Sequence, residues 1–184
     1  MLIAIIVIIV LLVVIVAWVI GQYNVLVKMR NKIEGAWAQI DVQLKRRYDL
    51  IPNLVETVKG YASHEKETLE AVIQARNMAV SAEGTANQAK SENILTGALK
   101  SLFAVSEAYP DLKANEGFLQ LQEELRGTED RIAYARQYYN DSVLRYNTKL
   151  EVFPSSVIAN SFNFTEREYF EADDDSRGNV EVSF

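Results

Sequence analysis

Four side chains that lie close together in the first half of the sequence are of types that bind metal ions. They are His64, which is the one histidine of the chain, and the nearby Glu65, Glu67 and Glu70. Metal sites on a helix use ligands four residues apart, as in H-E-x-x-H, because such ligands share one face. His64 and Glu65 are adjacent and would point about 100° apart on a helix. We interpret this group as carboxylates of a helix N-terminus beside a capping turn, and we predict no metal site and no cofactor.

Arg46 and Arg47 form a second group that could do chemistry, and Asp41 and Asp49 flank them. Two guanidinium groups could clamp an anion or a lipid phosphate. Asp41 and Lys45 are also i,i+4 partners in the favourable order, which is an ordinary pattern on a solvated helix. Both interpretations stay open, and we take Arg46 and Arg47 as candidate interaction residues.

Composition excludes several other kinds of site. The 184 residues contain no cysteine, which excludes disulfides, thiolate metal sites and cysteine nucleophiles. No glycine-rich phosphate loop, nucleophile elbow or Ser-His-Asp arrangement is recognisable around the single histidine. The net charge of −6 argues against a surface that binds nucleic acid. We predict that the protein has no catalytic residues, is not an enzyme and binds no nucleic acid.

Residues 2–20 are nineteen consecutive apolar residues with no charge, proline or glycine. As a helix this run would be about 28 Å long, close to the hydrocarbon thickness of a bilayer. A cleavable signal peptide is the alternative, but such peptides have a basic leader, a shorter apolar core and a small-residue cleavage site. We therefore predict a retained transmembrane anchor over residues 1–21, with Trp18 at the membrane interface.

The charges after the anchor predict its orientation. Between Gln22 and Arg47 six side chains are basic and two are acidic. Positive charge near a span favours the cytoplasmic side, so we expect the rest of the chain in the cytoplasm and a single membrane pass.

Helical periodicity dominates residues 22–153. An apolar stripe from Leu26 to Ala62 keeps a mean step of 3.6 residues through Pro52, which predicts one long helix kinked there. The alternative is a break, with Asp49 capping a new helix. A second helix, capped by Ser63, is predicted to bury five residues: Leu69, Val72, Ile73, Ala79 and Val80. A third is predicted to bury Ile94, Leu95, Ala98, Leu99, Leu102 and Phe103.

The fourth predicted helix is the longest after the first. Its stripe from Phe118 to Phe153 has a mean step of 3.5 residues, typical of a bundle seam or coiled coil. Asn140 and Asn147 lie beside this seam, and we expect them to hydrogen-bond across the bundle. The chain is thus predicted to be all-α, with an N-terminal transmembrane helix followed by an antiparallel four-helix bundle with long helices.

Residues 154–184 are predicted to be an irregular aromatic and acidic C-terminal tail. They carry seven acidic and two basic side chains. The tail is too polar to fold alone, but it has too many aromatic residues for an inert linker, so we expect it to dock. Its candidate interaction residues are Phe162, Phe164, Tyr169, Phe170 and Phe184. Residues 180–184 alternate in polarity and could add as a strand to a partner, or could dock on their own bundle or stay frayed.

Several short strings occur in order along the chain. They include Tyr23-Asn24, Ala36-Trp37, residues 40–47 (IDVQLKRR), 49–55 (DLIPNLV), 60–65 (GYASHE), 107–115 (EAYPDLKAN), 128–133 (TEDRIA) and Tyr139-Asn140. On these motifs, which cover roughly residues 20–170, the chain resembles the LemA family of bacterial membrane proteins. The resemblance implies a membrane-anchored four-helix bundle and supplies no biochemical reaction.

These observations predict a function in interaction rather than chemistry. Our leading hypothesis is a scaffold or adaptor in the bacterial inner membrane that organises other membrane proteins and forms homo-oligomers. The implied partners are the lipid bilayer and membrane proteins that the sequence does not identify. The alternative is a membrane-tethered sensor that binds a small ligand within the bundle.

Overall fold

The computed structural model describes residues 1–170, and helices dominate this part of the chain. They are α1 (Leu2–Tyr61), α2 (Lys66–Val80), α3 (Thr85–Ser106), α4 (Pro110–Lys113), α5 (Glu116–Glu151) and α6 (Ser155–Ser161). Residues 1–170 contain no β-strand, so the predicted all-α class is confirmed for them. Helices α4 and α6 were not predicted, and residues 155–161 are helical rather than irregular.

The first helix, α1, is continuous for 60 residues, or about 90 Å at the usual rise. The prediction of one helix through Pro52 is therefore confirmed, and the alternative of a break there is wrong. The apolar run at its start is long and apolar enough to cross a membrane, and none of it is buried by the rest of the protein. It is the one such helix in the described part of the chain.

Contacts divide the described residues into two units. The anchor unit contains residues 1–38 and 137–168, and the core unit contains residues 39–136 with Tyr169 and Phe170. In the anchor unit, buried apolar side chains come from α1, α5 and α6: Leu26, Ile33, Ala36, Tyr139, Val143, Tyr146, Leu150, Ile158 and Ala159. In the core unit they come mainly from α1, α2, α3 and α5: Ile51, Leu54, Val55, Val58, Leu69, Val72, Ala75, Ala79, Leu95, Leu99, Leu102, Phe118 and Leu125.

Four residues expected in the interior are exposed instead. Ile73 and Val80 follow Val72 and Ala79 by one position, and Ile94 precedes Leu95. A shift of one residue turns a side chain by about 100° around a helix, so these three lie beside the narrow buried stripes. Phe153 is exposed because α5 ends at Glu151, after which a helical period no longer applies.

The start of α2 also differs from the prediction. Glu65 rather than Ser63 occupies the N-cap position, and it makes no side-chain capping bond. Instead, Glu65 accepts a hydrogen bond from the Tyr109 hydroxyl at 3.0 Å. This bond is the main cause that raises the pKa of Tyr109. The residue predicted to sit in the first turn of α2 therefore bonds to the segment before α4.

Pro52 leaves a backbone carbonyl of α1 without its usual donor, and α2 supplies a replacement. A proline has no N–H, so the carbonyl four residues earlier, that of Tyr48, cannot receive the helical bond. The Nε of Arg76 donates to this oxygen at 3.0 Å. Arg76 thus satisfies the position at which the proline interrupts the helix.

We expect Arg76→Ala to lower the free energy of unfolding by about 1–3 kcal/mol, because it leaves the Tyr48 carbonyl unsatisfied. In a Pro52→Ala background the restored N–H of residue 52 takes over this acceptor, and the same change should cost clearly less. Urea unfolding of the four proteins in detergent gives the double-mutant cycle. Equal costs of Arg76→Ala in both backgrounds would contradict the assignment.

Candidate functional site

The core unit contains a buried polar cluster centred on Glu92 of α3. The Glu92 side chain is 0% exposed, and it forms an ion pair with Arg47 of α1, whose side chain is 4% exposed. Nη1 of Arg47 donates to Oε2 of Glu92 at 3.1 Å, and Nη2 donates to the Thr96 hydroxyl at 2.8 Å. Paired charges in the interior replace the hydration that burial removes. This pair therefore links α1 to α3.

Two further side chains lie within hydrogen-bonding distance of the other carboxylate oxygen of Glu92, Oε1. The Tyr48 hydroxyl donates a short hydrogen bond to Oε1, and Nε2 of Gln88 lies 3.4 Å from the same atom. Gln88 also donates to the Tyr48 hydroxyl at 2.9 Å and to the carbonyl of Ala79 at 3.2 Å. Burial, followed by the hydrogen bond to Glu92, raises the pKa of Tyr48. Tyr48 therefore stays protonated and acts as a donor.

A second guanidinium group belongs to the same electrostatic environment. Burial lowers the pKa of Arg136, Glu92 raises it, and the like charge of Arg47 lowers it further. The guanidinium carbon of Arg136 lies 4.2 Å from the centre of the Phe170 ring, a favourable cation–π distance. One buried carboxylate thus influences two arginines.

The chemistry open to this cluster is limited by its own saturation. Both Glu92 oxygens accept hydrogen bonds from neighbouring side chains, so Glu92 would have to break existing bonds to act as a base. A neighbouring cavity of about 120 Å³ is lined by residues that include Arg47, Thr96, Lys100, Phe103, Arg126 and Glu129. Small-molecule sites usually have about 300–1,000 Å³. The arrangement is suited to fixing helix positions.

Sequence reasoning missed Glu92, although a signal was present. Five of the eight buried residues of α3 follow the steps of one helical stripe: Gln88, Glu92, Leu95, Leu99 and Leu102. Extending the apolar stripe backward would have reached Glu92 and Gln88. Arg47 likewise stands between the buried Leu44 and Ile51 at helical spacing. A charged residue in register with an apolar stripe on each of two helices was the available indication of a buried pair.

The two adjacent arginines that sequence analysis singled out have different partners. Arg46 is half exposed and pairs with Glu124 at 3.5 Å, while Arg47 is buried with Glu92. Their side chains therefore do not form a joint clamp, and the guanidinium of Arg47 is already bonded to Glu92 and Thr96. Among the described residues, no group of three or more His, Asp or Glu side chains could hold a metal ion.

The candidate interaction residues of the tail belong to different units. Phe162 and Phe164 belong to the segment without helix or strand that follows α6 in the anchor unit, residues 162–168, here called the strap. Their rings lie 5.0 and 5.6 Å from the ring of Tyr23 on α1, and Arg30 lies 5.8 Å from the ring of Phe164. In the core unit Tyr169 is exposed and Phe170 is buried. Phe184, the acidic run 173–175 and the predicted strand 180–184 lie outside the described residues.

Side chains of α5 hold the strap by its backbone. Nδ2 of Asn147 donates to the carbonyl of Arg167 at 2.9 Å, and the N–H of Arg167 donates to Oδ1 of Asn147 at 3.0 Å. The Tyr139 hydroxyl donates to the carbonyl of Glu168 at 2.9 Å. Asn147 is buried and hydrogen-bonded as expected, but its partner is the strap and not a helix across the bundle. Residues 162–168 thus contact α1 and α5 of their own chain.

Comparison with known proteins gives consistent matches over most of the chain. A family model described as the LemA family matches residues 36–184. Protein LemA of Metamycoplasma hominis is 29% identical over 168 residues, covering 89% of this chain and 75% of that protein. Magnetosome protein MamQ 2 of Paramagnetospirillum magneticum is 27% identical over 182 residues, covering 85% of this chain and 67% of that protein. Magnetosome protein MamQ of Magnetospirillum gryphiswaldense is 25% identical over 175 residues, covering 81% of this chain and 64% of that protein.

Proposed function

Because the chain belongs to the LemA family, we propose that it is a membrane-anchored helical scaffold that binds other proteins and catalyses no reaction. One observation carries the proposal. The helix containing the apolar run has an 18-residue hydrophobic window that is 0% buried, and this helix, α1, also contributes side chains to the packed core. The protein is thus built to hold a folded helical body on a bilayer.

The finer architecture follows from the same proposal. The four long helices form an antiparallel bundle, with α1 entering it from a single pass through the bacterial inner membrane. The excess of basic residues between Gln22 and Arg47 supports a cytoplasmic position for the bundle. Protease accessibility in intact and opened cells tests the side: cleavage only in opened cells supports the cytoplasm, and cleavage in intact cells contradicts it.

Two observations favour a scaffold over other functions. The Glu92 cluster uses its hydrogen-bonding groups internally, and the adjoining cavity is too small for an ordinary metabolite. These features give no support to the sensor alternative. The relatives are named as a LemA protein and as magnetosome proteins, and neither name denotes an enzyme.

We expect partner proteins to bind at exposed apolar side chains of the core unit, so the crosslinking test uses two of these positions. Tyr134 is 74% exposed and Val42 is also exposed, although both are large and apolar. A photo-crosslinking amino acid at either position of the full chain, expressed in its host membrane, should give discrete adducts. Glu70, exposed and charged, is the matched control position. An adduct of twice the chain mass indicates a homo-oligomer, and larger or smaller ones indicate other proteins.

The absence of adducts at both positions, together with a monomer in detergent by size-exclusion chromatography with light scattering, would contradict the scaffold proposal. A ligand-dependent thermal shift of the full chain in detergent would instead favour the sensor.

Disruption of the apolar run provides the test of the anchor. We expect Val10→Arg combined with Leu11→Arg to raise the cost of insertion by about 5–7 kcal/mol, since each arginine at the centre of a span costs about 2.5–3.5 kcal/mol. The variant should move from the membrane pellet to the carbonate-soluble fraction. Lys28→Arg with Lys32→Arg, which leaves the run intact, is the control and should stay in the pellet. Retention of the double-arginine variant in the pellet would contradict a spanning helix.

A further inference from the structure

The turn between α5 and α6 presents large apolar side chains to solvent. Phe153 is 83% exposed and Phe162, just after α6, is 51% exposed; Val152 and Val157 are exposed as well. Scattered exposed apolar residues are normal, but a contiguous group marks a binding surface. All four lie in residues 152–162, here called the corner.

The corner lies in a segment without charge. Residues 152–165 (VFPSSVIANSFNFT) contain no Asp, Glu, Lys or Arg, although charged residues make up 24% of the chain. The run is bounded by Glu151 and Glu166. A segment of this length that is exposed only to water would ordinarily contain charged side chains. Its polar residues are serine, asparagine and threonine, which cost less than charged side chains when they are placed at the boundary between the headgroups and the acyl chains.

The anchor unit places this corner at the level of the membrane surface. The ring of Phe162 lies 5.0 Å from that of Tyr23, and Tyr23 is three residues, or about 4.5 Å, beyond Ile20 at the end of the apolar run. Trp18 and Tyr23, both exposed, are the residue types that concentrate at membrane interfaces. A side chain in contact with Tyr23 therefore lies within the interfacial layer of the bilayer that the run spans.

A second contact confirms this level along α1. The rings of Trp37 and Tyr139 lie 5.4 Å apart. From Tyr139 to Glu151 α5 advances about 18 Å, and the later contact between Phe162 and Tyr23 shows that it advances toward the apolar run. The same distance back along α1 from Trp37 reaches Val25, which is five residues or about 7.5 Å beyond Ile20, so the end of α5 lies near the outer edge of the interfacial layer.

We propose that the corner, residues 152–162, inserts Phe153, Val157 and Phe162 into the headgroup and upper acyl region of the bilayer, as a second membrane contact beside the spanning helix. Interfacial segments bury their apolar side about 5–10 Å into this layer. The inference rests on the proposed anchor, because the corner reaches lipid only if residues 2–20 span it. In this proposal the corner binds the lipid surface and does not bind another protein.

Site-specific fluorescence tests the proposal directly. The chain contains no cysteine, so one introduced cysteine can be labelled with an environment-sensitive dye in the full protein. Phe153→Cys and Val157→Cys report on the corner, and Val10→Cys reports on the anchor. Asp141→Cys is the control: it is exposed, belongs to the anchor unit and lies about 15 Å before the end of α5. The proteins are reconstituted into vesicles of phosphatidylethanolamine and phosphatidylglycerol containing lipids with a nitroxide near the headgroup or deep in the chain.

The shallow nitroxide should quench the labels at 153 and 157 about threefold more than the label at 141, while iodide in the aqueous phase should quench the label at 141 more than those at 153 and 157. The deep nitroxide should quench the label at Val10. Labels at 153 and 157 that iodide quenches as strongly as the label at 141 would overturn the proposal. Protection from iodide without lipid quenching would also overturn it, since a protein or a second copy would then cover the corner.

The Val10 label separates this inference from the anchor. Quenching at Val10 without quenching at the corner refutes the second contact and leaves the anchor intact. No deep quenching at Val10 refutes the anchor itself and, with it, the premise of the inference.

Discussion

Replacing Glu92 with alanine is expected to lower the free energy of unfolding by about 3–5 kcal/mol, the usual cost of removing one partner of a buried ion pair. The change leaves the Arg47 guanidinium buried without a counter-charge. It also removes the acceptor of the Tyr48 hydroxyl. Arg136, which interacts electrostatically with both Glu92 and Arg47, is then left with the like charge. Urea unfolding of the full chain in detergent, followed by circular dichroism, measures the loss.

The neighbouring arginines supply a matched control. Arg47→Ala should cost nearly as much as the Glu92 change, because it strands the carboxylate. Arg46→Ala removes an exposed pair with Glu124 and should cost less than about 1 kcal/mol. The two substitutions differ by one position in the same helix, so helix propensity does not separate them. Similar losses for both would contradict a special contribution of the buried pair.

A third variant distinguishes pairing from packing. Replacing both charges with apolar residues of similar size, Arg47→Met with Glu92→Leu, removes the stranded charge and should recover most of the stability lost by either single change. Failure of the double variant to recover stability would show that the hydrogen bonds to Tyr48, Gln88 and Thr96 dominate over the ion pair.

Asn147→Ala is expected to release the strap, with a second large effect. Two backbone groups of Arg167, its N–H and its carbonyl, lose their partner in this variant. Each unsatisfied group costs about 1–3 kcal/mol if it stays buried, so the strap should open instead. If the free energy of opening the strap falls by about 2 kcal/mol, the population of the open form rises about thirtyfold. Trypsin, which cleaves after arginine, should then cut after Arg167 faster by a similar factor.

Mass spectrometry of the tryptic products identifies this one cleavage among others. Thr148→Ala changes the next, exposed residue of α5 and should leave the rate after Arg167 unchanged. The ion pair of Arg167 with Glu34 is exposed at 3.4 Å and contributes little by itself, so Glu34→Gln should have a minor effect. An Asn147→Ala rate equal to that of the unchanged protein would show that other contacts hold the strap.

Much of the fold was predictable because it depends on local periodicity. The stripe through Pro52 kept the helical period, and the structure confirms one helix there. The motifs indicated the LemA family, and the family match confirms that resemblance. Sequence did not predict the compensation for Pro52, because the donor, Arg76, is 28 residues from the Tyr48 carbonyl that it bonds and lies on another helix.

The buried polar cluster was harder to predict than the helices. Arg47 and Glu92 are 45 residues apart, and a charged residue next to apolar ones is usually solvated. Only the joint placement of both on buried stripes identifies the pair, and this requires knowing which helices meet. The corner was missed for a related reason: Phe153 continued the α5 stripe by spacing, whereas α5 ends two residues earlier.

The hydrogen bonds between Asn147 and residue 167 involve only the backbone of residue 167. The side-chain amide of Asn147 bonds to the peptide N–H and carbonyl, so it recognises main chain in the manner of a neighbouring strand. Any residue except proline, which lacks the N–H, would present the same two groups at position 167. These two hydrogen bonds therefore place no requirement on the identity of the side chain there.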